Sequence, residues 1–440
     1  MKVLKFGGTS LGSSSRMKAI IPLITSEKQI IVVLSAISGT TDTLVEIINF
    51  LNQNRKMEAK KKICELEDYY KHITEELFDS QVYINTGKKL IEDHFQYIRG
   101  FIQEVLTKLQ EKAILAQGEL ITSALFHQML KEQGINSGLL SALSFMRIDK
   151  EGEPDNFYIK ENLNRELKKY KTNQVIITQG YICRNAYGAV DNLKRGGSDY
   201  SASLIGAAIR SEEIQIWTDI NGFQNNDPRY VTETRILREL SFNEAAELAY
   251  FGAKILHPSS IQPCKESNIP VRLKNSMNPD DPGTIITNQI KLNGIKAVAA
   301  KDRITAIKIK SARMLLAYGF LRKIFEVFEI YRTPIDMITT SEVTVSLTID
   351  NTEHLEEIKK ELEKFCIIEI VHDNSIICIV GDFIAEKNGV AVKILEAIRE
   401  IPLRMISYGG SSHNISVLVK SDHKAKVLNL LNKELFKITK

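Results

Sequence analysis

Val3-Leu4-Lys5-Phe6-Gly7-Gly8-Thr9-Ser10 begins as an apolar strand and ends in a lysine and a glycine pair. Glycine lets a backbone approach an anion closely and turn its N–H groups toward it. The adjacent ammonium adds a mobile point charge. The order differs from the G-x-x-x-x-G-K-[ST] loop, because here the lysine precedes the glycines. A glycine pair after a strand is by itself only a turn signal. The phosphate-binding reading gains force from four more constellations downstream in the chain.

Ile30-Ile31-Val32-Val33-Leu34 is a continuous apolar run, as in a parallel strand covered on both faces. It leads into a second small-residue loop, Ser35 to Thr41. Residues 45–133 have a helical period, with Leu66, Tyr69, Tyr70 and Ile73 on one stripe and Leu120, Ala124 and His127 on another. Strand-like runs return at Val175–Thr178 and Ile214–Trp217. Strands alternating with helices imply an α/β domain with a mainly parallel sheet between helical layers. Ligands of such sheets sit beyond the carboxyl ends of the strands, where these glycine-rich loops fall.

The four constellations lie in this same segment. Ala116-Gln117-Gly118-Glu119 heads a helix. Its carboxylate either complements the helix dipole or receives a substrate ammonium. Lys194-Arg195-Gly196-Gly197-Ser198-Asp199 precedes a helix of small residues and makes an anion-binding N-terminus, with Arg195 a planar fork for carboxylate or phosphate. Trp217-Thr218-Asp219, with Asp227-Pro228-Arg229 beyond it, suits a nucleotide, although alone it reads as an ordinary loop. Phe251-Gly252-Ala253-Lys254-Ile255-Leu256-His257-Pro258 places Lys254 on a small, apolar background, and His257 before Pro258 reads as a helix end.

The pattern changes near Asn278-Pro279-Asp280-Asp281-Pro282-Gly283, a turn and domain edge. Beyond it, Thr305–Ile309 and Thr344–Ile349 alternate apolar and polar residues, as half-buried antiparallel strands do. Amphipathic helices are expected over Phe320–Tyr331, His354–Phe365 and Val390–Ile401. Gly319-Phe320-Leu321 leading to Pro334-Ile335-Asp336, and Gly389-Val390-Ala391 leading to Pro402-Leu403-Arg404, suggest two copies of one ferredoxin-like unit.

Length and composition set outer bounds. A chain of 440 residues holds about two to four domains. A net charge of +4 on a mixed background gives no case for nucleic-acid or membrane partners. The five cysteines form no C-x-x-C pair, which argues for a reducing, cytoplasmic setting over a disulfide framework or zinc site. Nothing in the first residues reads as a signal peptide.

Together, Lys-Phe-Gly-Gly-Thr-Ser, Gln-Gly-Glu, Arg-Gly-Gly-Ser-Asp, Thr-Asp…Asp-Pro-Arg and Phe-Gly-Ala-Lys-x-Leu-His-Pro resemble, in order and spacing, the aspartate kinases of the amino-acid kinase family. Ile338-Thr339-Thr340-Ser341-Glu342-Val343 and Ser411-Ser412-His413-Asn414 are similar to signatures of that family's paired ACT domains. The resemblance implies an amino-acid-kinase-like three-layer αβα domain over 1–285. It also implies a regulatory region over 295–440. That region would hold tandem ferredoxin-like ACT domains at about 305–375 and about 376–440, the second joined by strand 295–302.

It further implies transfer of the γ-phosphoryl group of Mg-ATP to the β-carboxylate of L-aspartate. Lys5 and Asp199 would be catalytic. Glu119 would hold the substrate ammonium and Arg195 its α-carboxylate, with Ser38, Thr41 and Ser198 lining the pocket. Lys5, Gly7, Gly8, Thr218, Asp219, Arg229 and Lys254 would serve the nucleotide. The match is best to monofunctional, lysine-sensitive enzymes, which implies L-lysine as effector at Met314, Ile335, Asp336, Ser341 and Glu342. A homodimer through the ACT strands, convertible to a tetramer, is the implied assembly.

Three departures stand out: Gln224-Asn225-Asn226 in place of a common Tyr-Thr-Thr, Lys194 in place of a glycine, and Ala317 in place of a serine. The last removes one hydrogen bond to an effector, worth about 1 kcal/mol. Another amino-acid kinase and a catalytically silent amino-acid sensor are the rival readings. A substrate panel separates the first, and lysine binding without turnover would mark the second.

Overall fold

The computed structural model describes residues 1–26, 29–193, 196–252, 256–288, 294–310, 318–382 and 384–436. The chain divides into two compact units. One comprises Met1–Phe223, Arg238–Phe242 and Leu256–Ile290; the other comprises Gln224–Leu237, Asn243–Ile255 and Lys291–Lys440.

The first unit is an α/β layer structure, as expected. In chain order its elements are β1 (Lys2–Phe6), α1 (Ser14–Thr25), β2 (Ile30–Leu34), α2 (Thr40–Asn52), α3 (Lys56–Leu77), α4 (Gln81–Gly100), α5 (Lys108–Leu115) and α6 (Gln117–Glu132). There follow β3 (Ser137–Leu140), α7 (Asn156–Leu167), β4 (Val175–Gln179), the small hairpin β5 (Ile182–Arg184) and β6 (Val190–Asn192), α8 (Gly197–Ile209), β7 (Ile214–Thr218) and β8 (Glu239–Ser241). Helix α9 (Phe242–Phe251) has Asn243 to Phe251 grouped with the second unit, and α10 (Gln262–Ser267), β9 (Val271–Asn275) and β10 (Thr284–Thr287) complete the first.

The sheet order is β3-β4-β2-β1-β7-β9-β10-β8. Every neighbouring pair is parallel except β9 with β10. All five residues of β2 are buried, which explains its unbroken apolar run.

Two sequence expectations shift. The buried face of α6 carries Ile121, Thr122, Leu125, Phe126 and Met129, whereas Leu120, Ala124 and His127 are only half-buried, so the helix turns its bulkier stripe to the core. The turn at 278–283 closes the β9–β10 hairpin inside the first unit instead of ending it. Gly283 makes that turn possible: its φ is +72°, and a Cβ there would lie 1.9 Å from the Leu273 carbonyl oxygen.

The second unit contains β11 (Ile295–Lys310), α11 (Phe320–Ile330), β12 (Ile338–Thr340), β13 (Thr344–Ile349), α12 (Leu355–Glu363), β14 (Ile367–Gly381), α13 (Val390–Ala397), β15 (Met405–Ser407), β16 (Asn414–Lys420) and α14 (Lys424–Leu435). Its strands form one antiparallel sheet, β12-β13-β11-β14-β16-β15. Helix α11 buries Phe320, Ile324, Val327 and Phe328, an i, i+4, i+7, i+8 stripe. Helix α13 ends at Ala397, earlier than its periodicity suggests, yet Ile398 and Ile401 stay in the core beside α14.

The internal repeat is real, but the copies share strands. The first half of β11 pairs with the second half of β14, and the second half of β11 with the first half of β14. The two long strands thus each serve both copies.

Candidate active site

Gln179, Leu34, Phe6 and Trp217 are register partners across β4, β2, β1 and β7. Four carboxyl strand ends therefore finish at one level. β1 lies where the chain's excursions change from one side of the sheet to the other, the place where open α/β sheets bind ligands.

Lys5 and Asp199 meet there. Lys5 Nζ is 2.7 Å from Asp199 Oδ1, and both side chains are 12% exposed. Asp199 stands in the first turn of α8, where a carboxylate complements the helix dipole. A lysine ammonium has three N–H donors, so one ion pair leaves capacity for a phosphate oxygen.

The glycine pair makes room for this arrangement. A Cβ on Gly8 would sit 2.9 Å from the Ala36 carbonyl oxygen, and the Ser38 N–H donates to the Gly8 carbonyl at 3.3 Å. The loops after β1 and β2 thus touch backbone to backbone. Gly7 departs from expectation. Its N–H donates to the Trp217 carbonyl at 3.2 Å, extending the β1–β7 ladder by one residue, so it is not presented to an anion. Its missing side chain matters instead, because a Cβ would lie 3.4 Å from Lys5 Nζ.

Glu119 is a buried carboxyl at this end of the sheet, at 3% exposure. Its Oε1 accepts from the Ala36 N–H at 3.4 Å, while Oε2 is buried without a hydrogen-bond partner among the described residues. Burial raises its carboxyl to about 8, against the lowering effect of the backbone N–H bonds. Gly118 lets α6 close on the β2 loop, since a Cβ would lie 2.9 Å from Ala36 Cβ and 3.1 Å from Thr40 Cγ2.

The sequence-predicted pocket residues divide. Ser198 faces Gly180, where an added Cβ would lie 2.6 Å from the serine Cβ and Oγ. Ser38 is exposed and Thr41 half-buried. Thr218 Oγ1 donates to Asp219 Oδ1 at 3.0 Å, and Asp219 is exposed. Arg229 belongs to the second unit and forks onto Asp227, with Nη2 to Oδ2 at 2.6 Å, so its guanidinium is engaged within its own loop. Arg195 and Lys254 lie outside the described residues.

Several contacts around these strand ends escape a reading of the sequence. Tyr70 of α3 is fully buried, and its hydroxyl pairs with Thr40 Oγ1 at 2.9 Å. Thr122, one turn along α6 from Glu119, accepts from the Ile37 N–H at 3.2 Å and donates to the Gly118 carbonyl at 2.8 Å. Helix α3 is thereby tied to the loop that meets Gly8. The apolar stripe of α3 is the available signal, but it does not separate a buried hydroxyl with work to do from plain core. Lys274 of β9 holds its ammonium 4.8 Å from the centre of the Trp217 ring and donates to the Pro279 carbonyl at 2.8 Å.

Gly197 offers a stability check. A Cβ there would meet Tyr181 Cδ2 at 2.4 Å, and Tyr181 already holds the left-handed φ of +66°. Gly197→Ala is expected to destabilise the chain by about 1–3 kcal/mol. A urea melt unchanged from wild type would show that Tyr181 relaxes freely.

Of the expected effector residues, Met314 lies outside the described residues, as does Ala317, the departure noted near it. Ile335 packs against the core of the first repeat. Ser341 and Glu342 are exposed, and the Ser341 N–H donates to the Thr344 carbonyl at 2.8 Å. Asp336 is not the open carboxylate the sequence suggests. Its side chain is 1% exposed and ion-paired to Lys301 Nζ at 2.6 Å.

Residues 1–275 match the amino acid kinase family, and residues 377–435 match an ACT domain. The lysine-sensitive aspartokinase 3 of Escherichia coli is 31% identical over 458 residues, covering 99% of each chain. A chloroplastic aspartokinase 3 of Arabidopsis thaliana is 32% identical, covering 99% of this chain and 81% of the relative. Among solved structures, E. coli aspartokinase III with aspartate and ADP, in the R-state, superposes with a TM-score of 0.86 at 30% identity, covering 99% of this chain and all of that one. The same enzyme with lysine and aspartate, in the T-state, gives 0.83. A phosphate-suited lysine and a buried carboxylate at the switch point of a parallel sheet, a shared-strand ACT pair later in the chain, and full-length similarity to aspartokinases agree: the chain belongs to the amino acid kinase family, among the aspartokinases.

Proposed function

We propose that the chain transfers the γ-phosphoryl group of Mg-ATP to the β-carboxylate of L-aspartate, giving 4-phospho-L-aspartate and ADP, the entry to lysine, threonine and methionine synthesis. The Lys5–Asp199 pair carries this reading. The acceptor carboxylate is already ionised near neutral pH, so the reaction needs no general base. What it needs is positive charge where two anions approach and where charge gathers on the transferring group. Lys5 supplies that charge, and Asp199 fixes its position. Mg²⁺ arrives with the nucleotide as part of the substrate.

Glu119 receives the substrate ammonium. Its partnerless, buried Oε2 suits a charged donor. Arg195 takes the α-carboxylate, with Ser38, Thr41 and Ser198 alongside, and Thr218, Asp219, Arg229 and Lys254 serve the nucleotide. Residues 1–285 act as the catalytic domain and 295–440 as the regulatory one. L-Lysine, present in one of the E. coli structures, is the proposed effector. The short edge strands β12 and β15 are the proposed homodimer contacts of this cytoplasmic enzyme, with a tetramer as the lysine-bound form.

The test is ADP release from Mg-ATP with L-aspartate, with L-glutamate as control and L-lysine titrated in. Aspartate-dependent turnover suppressed by lysine is expected. Folded protein with no aspartate-dependent turnover would overturn the proposal, and turnover indifferent to lysine would remove only the effector.

Tyr70 yields a finer expectation. Tyr70→Phe removes the hydroxyl bonded to Thr40 and is expected to raise KM for aspartate about fivefold, the effect of about 1 kcal/mol. KM for Mg-ATP and kcat should stay within about twofold of wild type. Equal loss for both substrates would point to a general packing defect.

A further inference from the structure

At Lys301, β11 passes from one repeat to the other. The strand pairs with Ile376–Gly381 up to Lys301 and with Ile367–Asn374 from Ile304 onward, and its register slips between Lys301 and Ile304. Arg303 in this bulge has a φ of +60°. Adjacent side chains thereby serve opposite repeats. Asp302 accepts from Lys424 Nζ at 2.6 Å and from Ser375 Oγ at 2.9 Å, both in the second repeat. Lys301 takes two carboxylates of the first, Asp336 at 2.6 Å and Asp350 at 2.9 Å.

The Asp336 carboxylate is used unevenly. Its Oδ1 accepts from both Lys301 Nζ and the Tyr250 hydroxyl, the latter at 2.8 Å. Its Oδ2 is buried and has no hydrogen-bond partner among the described residues. The Tyr250 ring lies under the same ammonium, 4.4 Å from Nζ to the ring centre. Just past α9, a Cβ on Gly252 would lie 2.3 Å from the Ala300 carbonyl oxygen, so this helix end is seated on the strand residue beside Lys301.

We propose that Lys301 is an intramolecular occupant of the effector subsite, holding the carboxylate that the ammonium of an amino-acid effector must take, and that a cationic effector binds by displacing Lys301 from Asp336. The inference rests on the reading of Asp336 as an effector residue. Lys301 and an effector ammonium compete for the same buried carboxylate, and their mutual repulsion raises the cost of holding both at ion-pair distance. Displacement is inexpensive, because Lys301 keeps Asp350, whose side chain is 37% exposed. Tyr250 shares Oδ1 with Lys301, so the exchange is felt on α9, which runs directly into Phe251-Gly252-Ala253-Lys254. Apparent affinity for an effector is reduced by the fraction of molecules in which Lys301 has vacated Asp336.

The experiment is calorimetric titration of L-lysine into the full chain as wild type, Lys301→Met, Lys301→Arg and Asp336→Asn, each checked for folding by circular dichroism. Lys301→Met is expected to bind L-lysine at least about tenfold more tightly than wild type. Lys301→Arg keeps the internal cation and should stay within about threefold of wild type. Asp336→Asn should lose binding. If Lys301→Met binds no more tightly while Asp336→Asn loses binding, the internal occupant is refuted and the effector reading stands. If Asp336→Asn binds like wild type, the effector reading itself is refuted.

Binding by Lys301→Met where wild type shows none would support the proposal, and binding by neither would overturn it. Lys301→Gln serves the same comparison if the methionine variant does not fold. Tyr250→Phe is expected to keep lysine affinity within about threefold but to weaken inhibition of ADP formation at saturating lysine; undiminished inhibition would remove Tyr250 from the proposal.

Discussion

Lys5→Ala is expected to lower kcat by about a thousandfold, the upper range for losing one preorganised charge at a reacting group. The attacking carboxylate and the γ-phosphoryl group are both anionic, and direct transfer between them has no covalent enzyme intermediate to fall back on. The effect is larger than that of an exposed lysine, because Lys5 and its partner are both 12% exposed and water screens them little. Arginine should restore only part of the rate, since a planar fork does not reproduce a compact ammonium. Asp199→Asn leaves the ammonium in place but less well fixed, so a milder loss of about tenfold is expected. Steady-state kinetics on variants with wild-type melting curves make the comparison. A Lys5→Ala enzyme within about tenfold of wild-type kcat would falsify the assignment of Lys5 to the transferring group.

The second large effect concerns Glu119 and pH. In the ligand-free chain, burial holds this carboxyl protonated up to about 8. A substrate ammonium binds the ionised form, so aspartate binding must first release that proton. KM for aspartate should therefore fall about tenfold between about pH 7 and about pH 9, then level off until the substrate amine loses its own proton. Glu119→Gln should abolish this slope and raise KM about a hundredfold by removing the ion pair. The sign for stability is opposite. The unfolded chain ionises Glu119 near the ordinary carboxyl value of 4.5 and the folded chain near 8, so the folded state binds more protons between those values. Ligand-free stability thus falls as pH rises through that window, and saturating aspartate should offset the loss. A pH-independent KM for aspartate would show that Glu119 does not meet the ammonium.

Motifs carried by a strand end and its loop are legible in the sequence because their chemistry is local. Lys5, Gly8, Glu119 and Asp199 each sit where a strand or helix terminus puts them, and the parallel sheet gathers those termini. Residues that act across long sequence separations are not legible. Tyr70 lies in a helical segment whose pattern speaks only of burial, and its partner Thr40 opens α2, 30 residues earlier. The N–H of Gly7 reads as a phosphate donor, but the β1–β7 ladder claims it. Asp336 reads as a loop charge waiting for a ligand. Nothing in strict strand alternation announces the bulge that turns Lys301 toward it. The turn Asp227-Pro228-Arg229 reads as part of a nucleotide loop, and nothing in its pattern announces that the neighbouring Asn226 Nδ2 donates to the Leu428 carbonyl at 3.1 Å, within the second unit.

The strands shared between the repeats impose an order on biosynthesis. Residues 295–301 leave the ribosome before any of the first repeat, but their partners in β14 are made about eighty residues later, a separation that slows pairing. Until then this apolar edge stays unmatched, while β11 beyond the bulge can already zip to β13. The first repeat can close as soon as the early part of β14 emerges. The second must wait for α14, more than forty residues further along the chain. Cutting the gene between the repeats would therefore not yield two small domains. It would leave one copy short of a strand and the other with an unpaired one, and the lone strand would be a site for association between nascent chains.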